Sequence, residues 1–480
     1  MNILAIDIGS SSVRASFYDA SGSPVPDTET QLGHGLAYTP EGGATIDPEE
    51  LLELTARAID RTLQKAGGLE VIGVAMSTFW HSLLGLDESG DPTTPVFAWA
   101  DRRAAEAARW LRESLDETRV HRRTGCVLHS SYWPAKLSWL SNEKPGVFER
   151  TKRWASPGEY IQLRLFGETS VGTSMASATG LFDQNEKTWD DETLAALPVS
   201  ETHLSPISDE PGRGLRKGWA ERWPALEDVP WFPAVGDGAA SNVGCGCVSA
   251  DKLALMVGTS GAMRILWKAD SVETPPGVWR YRADEKRIVM GGALSNGGNL
   301  VEWLRETLKL PGPEKAEESL STLDPDSHGL TFLPLLAGER GPGWADRANG
   351  VIAGLSMSST PVEILRAAME SVALRFAIIA EMLDKASPGE KEIVATGGGL
   401  LGSPTWTRIM ADALGRFVTL SAVEEASSRG AALLALEKLG ELEINELHAP
   451  SGETIEPNEQ SHQTYKQALE RQKRLYDAVV

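Results

Sequence analysis

The chain opens on an apolar run, Ile3 to Ile8, broken only by Asp7, and a second run follows from Val13 to Tyr18. Between them stand Gly9, Ser10, Ser11 and Ser12, and Asp19-Ala-Ser-Gly22 closes the second run with turn chemistry. The pattern predicts a β-hairpin with a tip of small residues. A helix is expected next. Asp47 offers an N-cap, Pro48 suits the first helical position, Glu49 and Glu50 favour the first turn, and Gly67-Gly68 ends it. Val71 to Met76 reads as a buried strand running into Ser77-Thr78-Phe79-Trp80-His81. Strand, helix and strand at these spacings predict a layered α/β domain.

The hairpin layout recurs in the second half. Leu253 to Gly258, the turn Thr259-Ser260-Gly261, and Ala262 to Trp267 repeat the order of residues 3–18, with an arginine early in each second strand (Arg14 and Arg264). A third segment, Ile393 to Thr396 followed by Gly397-Gly398-Gly399, is a strand ending in glycines. Each glycine turn alone fits an ordinary hairpin. Together they predict two similar α/β domains, residues 1–247 and 248–480, whose turns converge on one ligand. The segment from Ser461 to Val480 predicts a terminal amphipathic helix with Tyr465 and Leu469 on its apolar face.

Charge narrows the function. Lysine and arginine number 46 and aspartate and glutamate 67, a formal balance of −21. Affinity for nucleic acid or an anionic membrane surface needs the opposite sign. The first residues lack a basic n-region, and no run approaches the length of a membrane span, so a cytoplasmic protein is expected. Three cysteines exclude a disulfide framework, and no histidine lies near Cys245 and Cys247 in sequence, so reduced thiols are expected rather than zinc ligands.

Turns of Gly, Ser and Thr present backbone N–H groups to anions without needing many basic side chains. The P-loop spacing and the dinucleotide glycine pattern are both absent. Asp7, beside the first turn, either holds Mg²⁺ against phosphate oxygens or bonds the N–H groups of its own turn. Asp237, between Gly236 and Gly238, is sterically open to another molecule or else punctuates a turn. Asp101 follows Phe97-Ala-Trp99-Ala and precedes a helical pattern from Arg102 to about Leu115, so it is an N-cap or a ligand contact. His81 is a core histidine or a ligand contact.

These segments, taken in order, resemble the FGGY family of carbohydrate kinases over nearly the full chain. Ile6-Asp7-Ile-Gly9-Ser10-Ser-Ser12-Val-Arg14 is similar to that family's first phosphate motif and Gly258-Thr259-Ser260-Gly261 to its second. Gly236-Asp237-Gly238 resembles its catalytic-base segment, and Gly397-Gly398-Gly399 its adenosine motif. Gly350-Val-Ile-Ala-Gly354-Leu355 through Glu363 to Glu370 is similar to the C-terminal signature. Lys136-Leu137-Ser-Trp139 through Glu143 resembles the N-terminal one, with Trp133 where a small residue or proline is usual.

The resemblance implies two ribonuclease-H-like domains of the actin and sugar-kinase type, with a cleft between them. It implies ATP and Mg²⁺ as cofactors and a small sugar or sugar acid as the only partner, with no nucleic acid and no membrane; a homodimer is left open. It places Asp237 as catalytic base and Asp7 near Mg²⁺. Gly9, Ser10, Ser12 and Arg14, with Thr259, Ser260 and Gly261, would approach the phosphates. Gly298, Gly397, Gly398 and Ser403 would border the nucleoside. Trp80, His81, Trp99 and Asp101 would face the sugar.

Phe79-Trp80-His81-Ser82 with Trp99-Ala-Asp101-Arg102-Arg103 is most similar to gluconate kinases within the family. A ketopentose or pentitol kinase is the alternative, and an actin-like regulatory ATPase the alternative of another class. A gluconate pocket needs a donor for the carboxylate. Arg102 and Arg103 are one expected source, and the N–H groups of the helix they begin are another.

Overall fold

The first hairpin forms where the alternation puts it. In the computed structural model, which describes residues 1–480, β1 (Asn2–Ile8) pairs antiparallel with β2 (Ser12–Asp19), Ile8 opposite Val13. β3 (Thr30–Gly33) extends this sheet on the far side of β2. α1 (Pro48–Ala66) starts where Asp47 accepts the Glu49 N–H at 2.8 Å and stops at Gly67, whose φ of 59° a side chain would resist. It leads into β4 (Val71–Thr78), parallel to β1. With β5 (Val235–Gly236) beyond it, the sheet runs β5-β4-β1-β2-β3. β1 is therefore central and buried along its whole length, which is why its pattern is continuous rather than alternating. α2 (Asp237–Gly244) leaves directly from β5.

The second sheet repeats this plan. β6 (Lys252–Val257) and β7 (Gly261–Lys268) form the second hairpin, flanked by β8 (Trp279–Arg282) and β9 (Arg287–Leu294). Across α3 (Pro361–Ala386), the chain adds β10 (Glu392–Thr396), β11 (Val418–Ser421) and β12 (Ser451–Ile455). The order is β8-β9-β7-β6-β10-β11-β12, and β10 runs parallel to β6 as β4 does to β1. The repeat seen in the sequence is thus a repeat of hairpin plus parallel strand. The two halves are also joined by packing. α4 (Ala426–Leu439) carries Ala431, Ala432, Ala435 and Leu436 onto Ile3, Ala5 and Ala75 of the first sheet. Where α4 crosses α2, a Cβ on Gly244 would strike the Ala426 carbonyl, and one on Gly430 the Ala240 carbonyl. Only glycine permits that approach, and it fixes the helix that begins with Asp237.

The terminal helix, α5 (Glu459–Val479), begins two residues before the expected Ser461 because Asn458 caps it, accepting the Ser461 N–H at 2.9 Å. Tyr465 and Leu469 are buried as the pattern predicts. An ionic cluster fastens it to α3. Glu370 accepts from Arg366 Nε at 2.6 Å and Tyr465 Oη at 2.9 Å, and His328 Nε2 lies 3.0 Å away. Asp326 pairs with Arg471 at 2.5 Å, so the carboxylates here already hold guanidinium partners. Burial raises the Glu370 pKa, but the His328 hydrogen bond and the Arg366 charge outweigh it, leaving the carboxyl below its usual range. A depressed carboxyl stabilises the fold above its unfolded pKa and loses that contribution as pH falls through the folded value. Glu370→Ala is expected to cost about 3–5 kcal/mol at pH 7 by stranding Arg366. Urea unfolding checks this, and the gap from wild type should narrow below about pH 4.

Cys126, Cys245 and Cys247 are free and buried. No helix is long and apolar enough to cross a membrane.

Candidate active site

Both β1 and β4 end beside the N-terminus of α2, and a cavity of about 280 Å³ opens there, lined by Asp237, Trp80, His81, Arg264, Tyr281 and Arg340. A second cavity of about 660 Å³ adjoins it, and Ser10, Trp99, Ser260 and Arg340 belong to both.

Asp237 is the first residue of α2, and its Oδ1 accepts the Gly238 N–H at 2.7 Å. Burial raises its pKa, and the Arg264 guanidinium opposes that rise. Arg264 is itself anchored, donating from Nε to Asn242 Oδ1 at 2.9 Å. The flanking glycines have a different purpose from the one their smallness suggests. A Cβ on Gly236 or Gly238 would fall within the Trp80 indole, so the space they leave holds a tryptophan rather than an incoming ligand. Trp80 is fixed from behind by its indole N–H donating to the Ser174 carbonyl at 3.2 Å.

His81 sits at a φ of 65°, turned into the cavity. Its Nδ1 lies 2.8 Å from the Ala178 carbonyl, which can only accept, so Nδ1 carries the proton. Burial, assisted by the Arg340 charge, holds its pKa well below the ordinary value. The ring is neutral, and Nε2 offers a lone pair. Beneath it, buried Lys136 donates Nζ to the carbonyls of His81, Ala98 and Ser131 at 2.7, 3.0 and 2.8 Å. One ammonium thereby ties together the three loops that carry His81, Trp99 and the edge of the larger cavity. Trp133, the unusual residue of that motif, is buried and donates to the Ser82 carbonyl at 3.0 Å.

Asp101 is where the structure departs most from the sequence reading. It does not cap a helix: the helix starts at Ala105, after Ala104. Nor does it line either cavity. Its carboxylate accepts from Arg103 through the backbone N–H at 3.2 Å, Nε at 3.0 Å and Nη2 at 2.5 Å, and from the Ala44 N–H at 3.0 Å. Arg103 is consumed by that pairing and by lying over Trp139. Arg102 reaches the Asp346 carbonyl at 2.8 Å.

The glycine turns converge. Ser10 of the first turn and Thr259 and Ser260 of the second face the larger cavity across the cleft. The Gly298 N–H donates to the Gly258 carbonyl at 2.7 Å, and Gly397, at a φ of 89°, lies against the Val257 backbone. Nothing lies within 4 Å of where a Gly398 Cβ would stand, so that position is open. Gly298, Gly397 and Gly398 line neither cavity; Gly298 and Gly397 pack against the backbone at Gly258 and Val257. Gly9 closes the first turn by donating to the Ser12 carbonyl at 2.9 Å.

Two expected nucleotide contacts have hydroxyls bonded within the chain, and a third is packed on the core. The buried Ser12 hydroxyl accepts from Gln31 at 3.3 Å. The Ser403 hydroxyl caps a helix, accepting the Trp406 N–H at 3.2 Å and donating to Glu317 at 2.7 Å. Gly261 lines the smaller cavity, but a Cβ there would meet Phe376 of α3 at 2.7 Å, so a side chain at this position disturbs the core before it disturbs a phosphate.

Asp7 is buried and accepts from the Ser77 hydroxyl. Burial raises its pKa to about 6, and the nearby Asp237 adds to the rise while Ser77 and Arg14 oppose it. Arg14 stands 3.9 Å from Asp7 and 3.3 Å from Glu425. The Asp7 carboxylate, buried beside the charge of Asp237, offers hard oxygen donors of the kind Mg²⁺ takes.

Models of protein families match nearly the whole chain. The N-terminal domain of the FGGY family of carbohydrate kinases matches residues 2–244, and the C-terminal domain of that family matches residues 253–438. The chain belongs to the FGGY family of carbohydrate kinases. It is therefore a phosphotransferase with an alcohol group as acceptor, built on the two-domain α/β fold of the actin and ribonuclease-H type. It is 28% identical to a gluconokinase of Bacillus subtilis over 455 residues, covering 92% of this chain and 88% of that one. The crystal structure of a gluconate kinase from Lactobacillus acidophilus matches with a TM-score of 0.92 at 27% identity, over 99% of this chain and 98% of that one. A ligand-bound xylulose kinase from Lactobacillus acidophilus matches equally well, with a TM-score of 0.92 at 28% identity over the same shares.

Within this FGGY kinase, Arg340, Trp279 and Tyr281 line the smaller cavity and were not singled out from sequence. Trp279 and Tyr281 stack at 4.2 Å on edge strand β8, and the Arg280 N–H between them donates to the Gly125 carbonyl at 2.9 Å. The second half of the chain thus closes the pocket of the first. The dense glycines of Gly338-Glu339-Arg340-Gly341-Pro342-Gly343 were the available signal for Arg340.

Proposed function

We propose that this carbohydrate kinase transfers the γ-phosphoryl group of ATP to a terminal hydroxyl of gluconate, giving 6-phosphogluconate. The observation that carries the reading is the smaller cavity, where one raised carboxylate, Asp237, stands with two guanidinium groups, Arg264 and Arg340. In a chain of net charge −21, so cationic a pocket suits an anionic acceptor. The gluconokinase relatives support the same acceptor. Residues 1–247 would hold the sugar and the base, and residues 248–480 the nucleotide.

Phosphoryl transfer needs alignment, charge stabilisation and one proton acceptor. Asp237 takes the hydroxyl proton as the oxygen attacks in line; its raised pKa brings it nearer the operating pH than an exposed aspartate. The acceptor's C–H edges lie against Trp80 and Trp99, and its hydroxyls donate to His81 Nε2. Backbone N–H groups at Ser10, Thr259 and Ser260 meet the transferred group, with Arg14 behind them. The open backbone at Gly398, with Gly298 and Gly397 packed beside the second turn, borders the nucleoside. Asp7, with Asp237 beside it, would hold Mg²⁺, which when bound offsets charge on the phosphate oxygens.

The xylulose kinase neighbour of equal TM-score favours a second reading, a ketopentose or pentitol acceptor. A coupled ADP-release assay against gluconate, xylulose, ribulose, xylitol, ribitol and glycerol separates the two. Gluconate is expected to lead in kcat/KM by roughly 10- to 150-fold, the worth of one charge-assisted contact. A pentulose or pentitol in first place sinks the gluconate assignment and leaves the kinase.

A further inference from the structure

We infer that Arg340 is the residue that recognises the carboxylate of an acidic acceptor, making this site selective for sugar acids over neutral sugars. The inference rests on the reading above that the acceptor binds beside Asp237 and carries a carboxylate.

Other arginines around the site have partners within the chain: Arg264 donates from Nε to Asn242, Arg103 pairs with Asp101, and Arg102 reaches the Asp346 carbonyl. Arg340 has none. Its Nε is buried with no hydrogen-bond partner, and its guanidinium forms no ion pair within the chain. The adjacent carboxylate does not serve it, because Glu339 turns the other way to pair with Arg375 and accept from Tyr476. What holds Arg340 is the face of Trp99, 4.8 Å from the guanidinium carbon, a stacking that leaves the donor edge of the fork free. That edge belongs to the wall between the two cavities, since Arg340 lines both.

A buried guanidinium without an anion is costly, and the group whose shape matches its fork is a planar carboxylate bound by two parallel hydrogen bonds. A neutral hydroxyl supplies neither the charge nor the second acceptor. Arg340 shares the smaller cavity with Trp80, Trp99 and Asp237, and both cavities with Ser10 and Ser260 of the phosphate turns, so the kinetics of Arg340 variants separate a role on the acceptor from one on the phosphoryl group.

The test compares wild type, Arg340→Gln and Arg340→Lys on gluconate, on xylulose, and in binding of glucitol, which replaces the carboxylate with a hydroxymethyl group. Binding is read from tryptophan fluorescence and turnover from coupled ADP release, with the thermal midpoint reporting folding. Arg340→Gln should lose roughly 10- to 150-fold in kcat/KM on gluconate, mostly through KM, and less than about threefold on xylulose and in glucitol affinity. Arg340→Lys should recover part of the loss, since it restores charge but not the fork. Equal losses on both acceptors, carried by kcat, would assign Arg340 to the phosphoryl group and overturn the inference. Gluconate preference that survives Arg340→Gln overturns it while leaving the gluconate reading intact. A wild-type preference for another sugar acid, abolished by Arg340→Gln, does the reverse. A wild-type preference for a neutral sugar removes both.

Discussion

Asp237→Asn is expected to keep the fold and ADP binding while lowering kcat by at least about 10²-fold, the low end for loss of a general base. Asparagine keeps an oxygen for the Gly238 N–H, so the start of α2 survives, but it cannot take the hydroxyl proton. Because burial raises the Asp237 pKa against the pull of Arg264, the acid limb of kcat/KM should lie above the ordinary aspartate value near 3.9 and be absent in the variant. A variant with a tenth or more of wild-type kcat at saturating Mg²⁺ would remove Asp237 from this role.

Lys136→Met is expected to give the second large effect, through positioning rather than chemistry. Its ammonium serves three buried carbonyls, on His81, Ala98 and Ser131, and methionine serves none. Burial pulls the Lys136 pKa down to about 7, against the Asp101 carboxylate, while three carbonyls engage all three ammonium protons. Leaving them unpaired should cost about 3 kcal/mol or more of stability, at roughly 1–3 kcal/mol per buried polar group. The loops bearing His81 and Trp99 should then lose their relative placement, and kcat/KM for the acceptor should drop about 10²-fold. Affinity for ADP, which the proposed function assigns to the second half, should stay within about twofold, as measured by titration calorimetry at a temperature where the variant is folded. An acceptor KM within twofold of wild type would show that Lys136 is structural only.

Much of the fold was legible because its signals are local. A strand's period of two, a cap two or three residues from its partner and a glycine at positive φ are set by residues close in sequence, so both hairpins, α1 and α5 appear nearly where the patterns put them. The glycine turns and His81 were legible for the same reason, each following a strand whose pattern marks it, and Asp237 was legible from its flanking glycines and the motif it resembles.

The partners of these residues were not legible. Asp101 and Arg103 read as ligand groups until the fold pairs them with each other. Gly236 and Gly238 read as room for a substrate until Trp80, more than 150 residues earlier, fills that room. Arg340 gains its place only because Glu339 pairs with Arg375 and Trp99 arrives from the first half, while β8 carries Trp279 and Tyr281 across to close the pocket. Sequence by itself determined the elements, the repeat and the ends of strands where chemistry sits, since these follow from backbone period and capping. Which charges are neutralised inside the protein and which remain for a ligand was set by the tertiary structure, because even pairs close in sequence, such as Asp101 with Arg103, form where burial and packing hold them together, and Arg340 is left without a partner by contacts from distant segments.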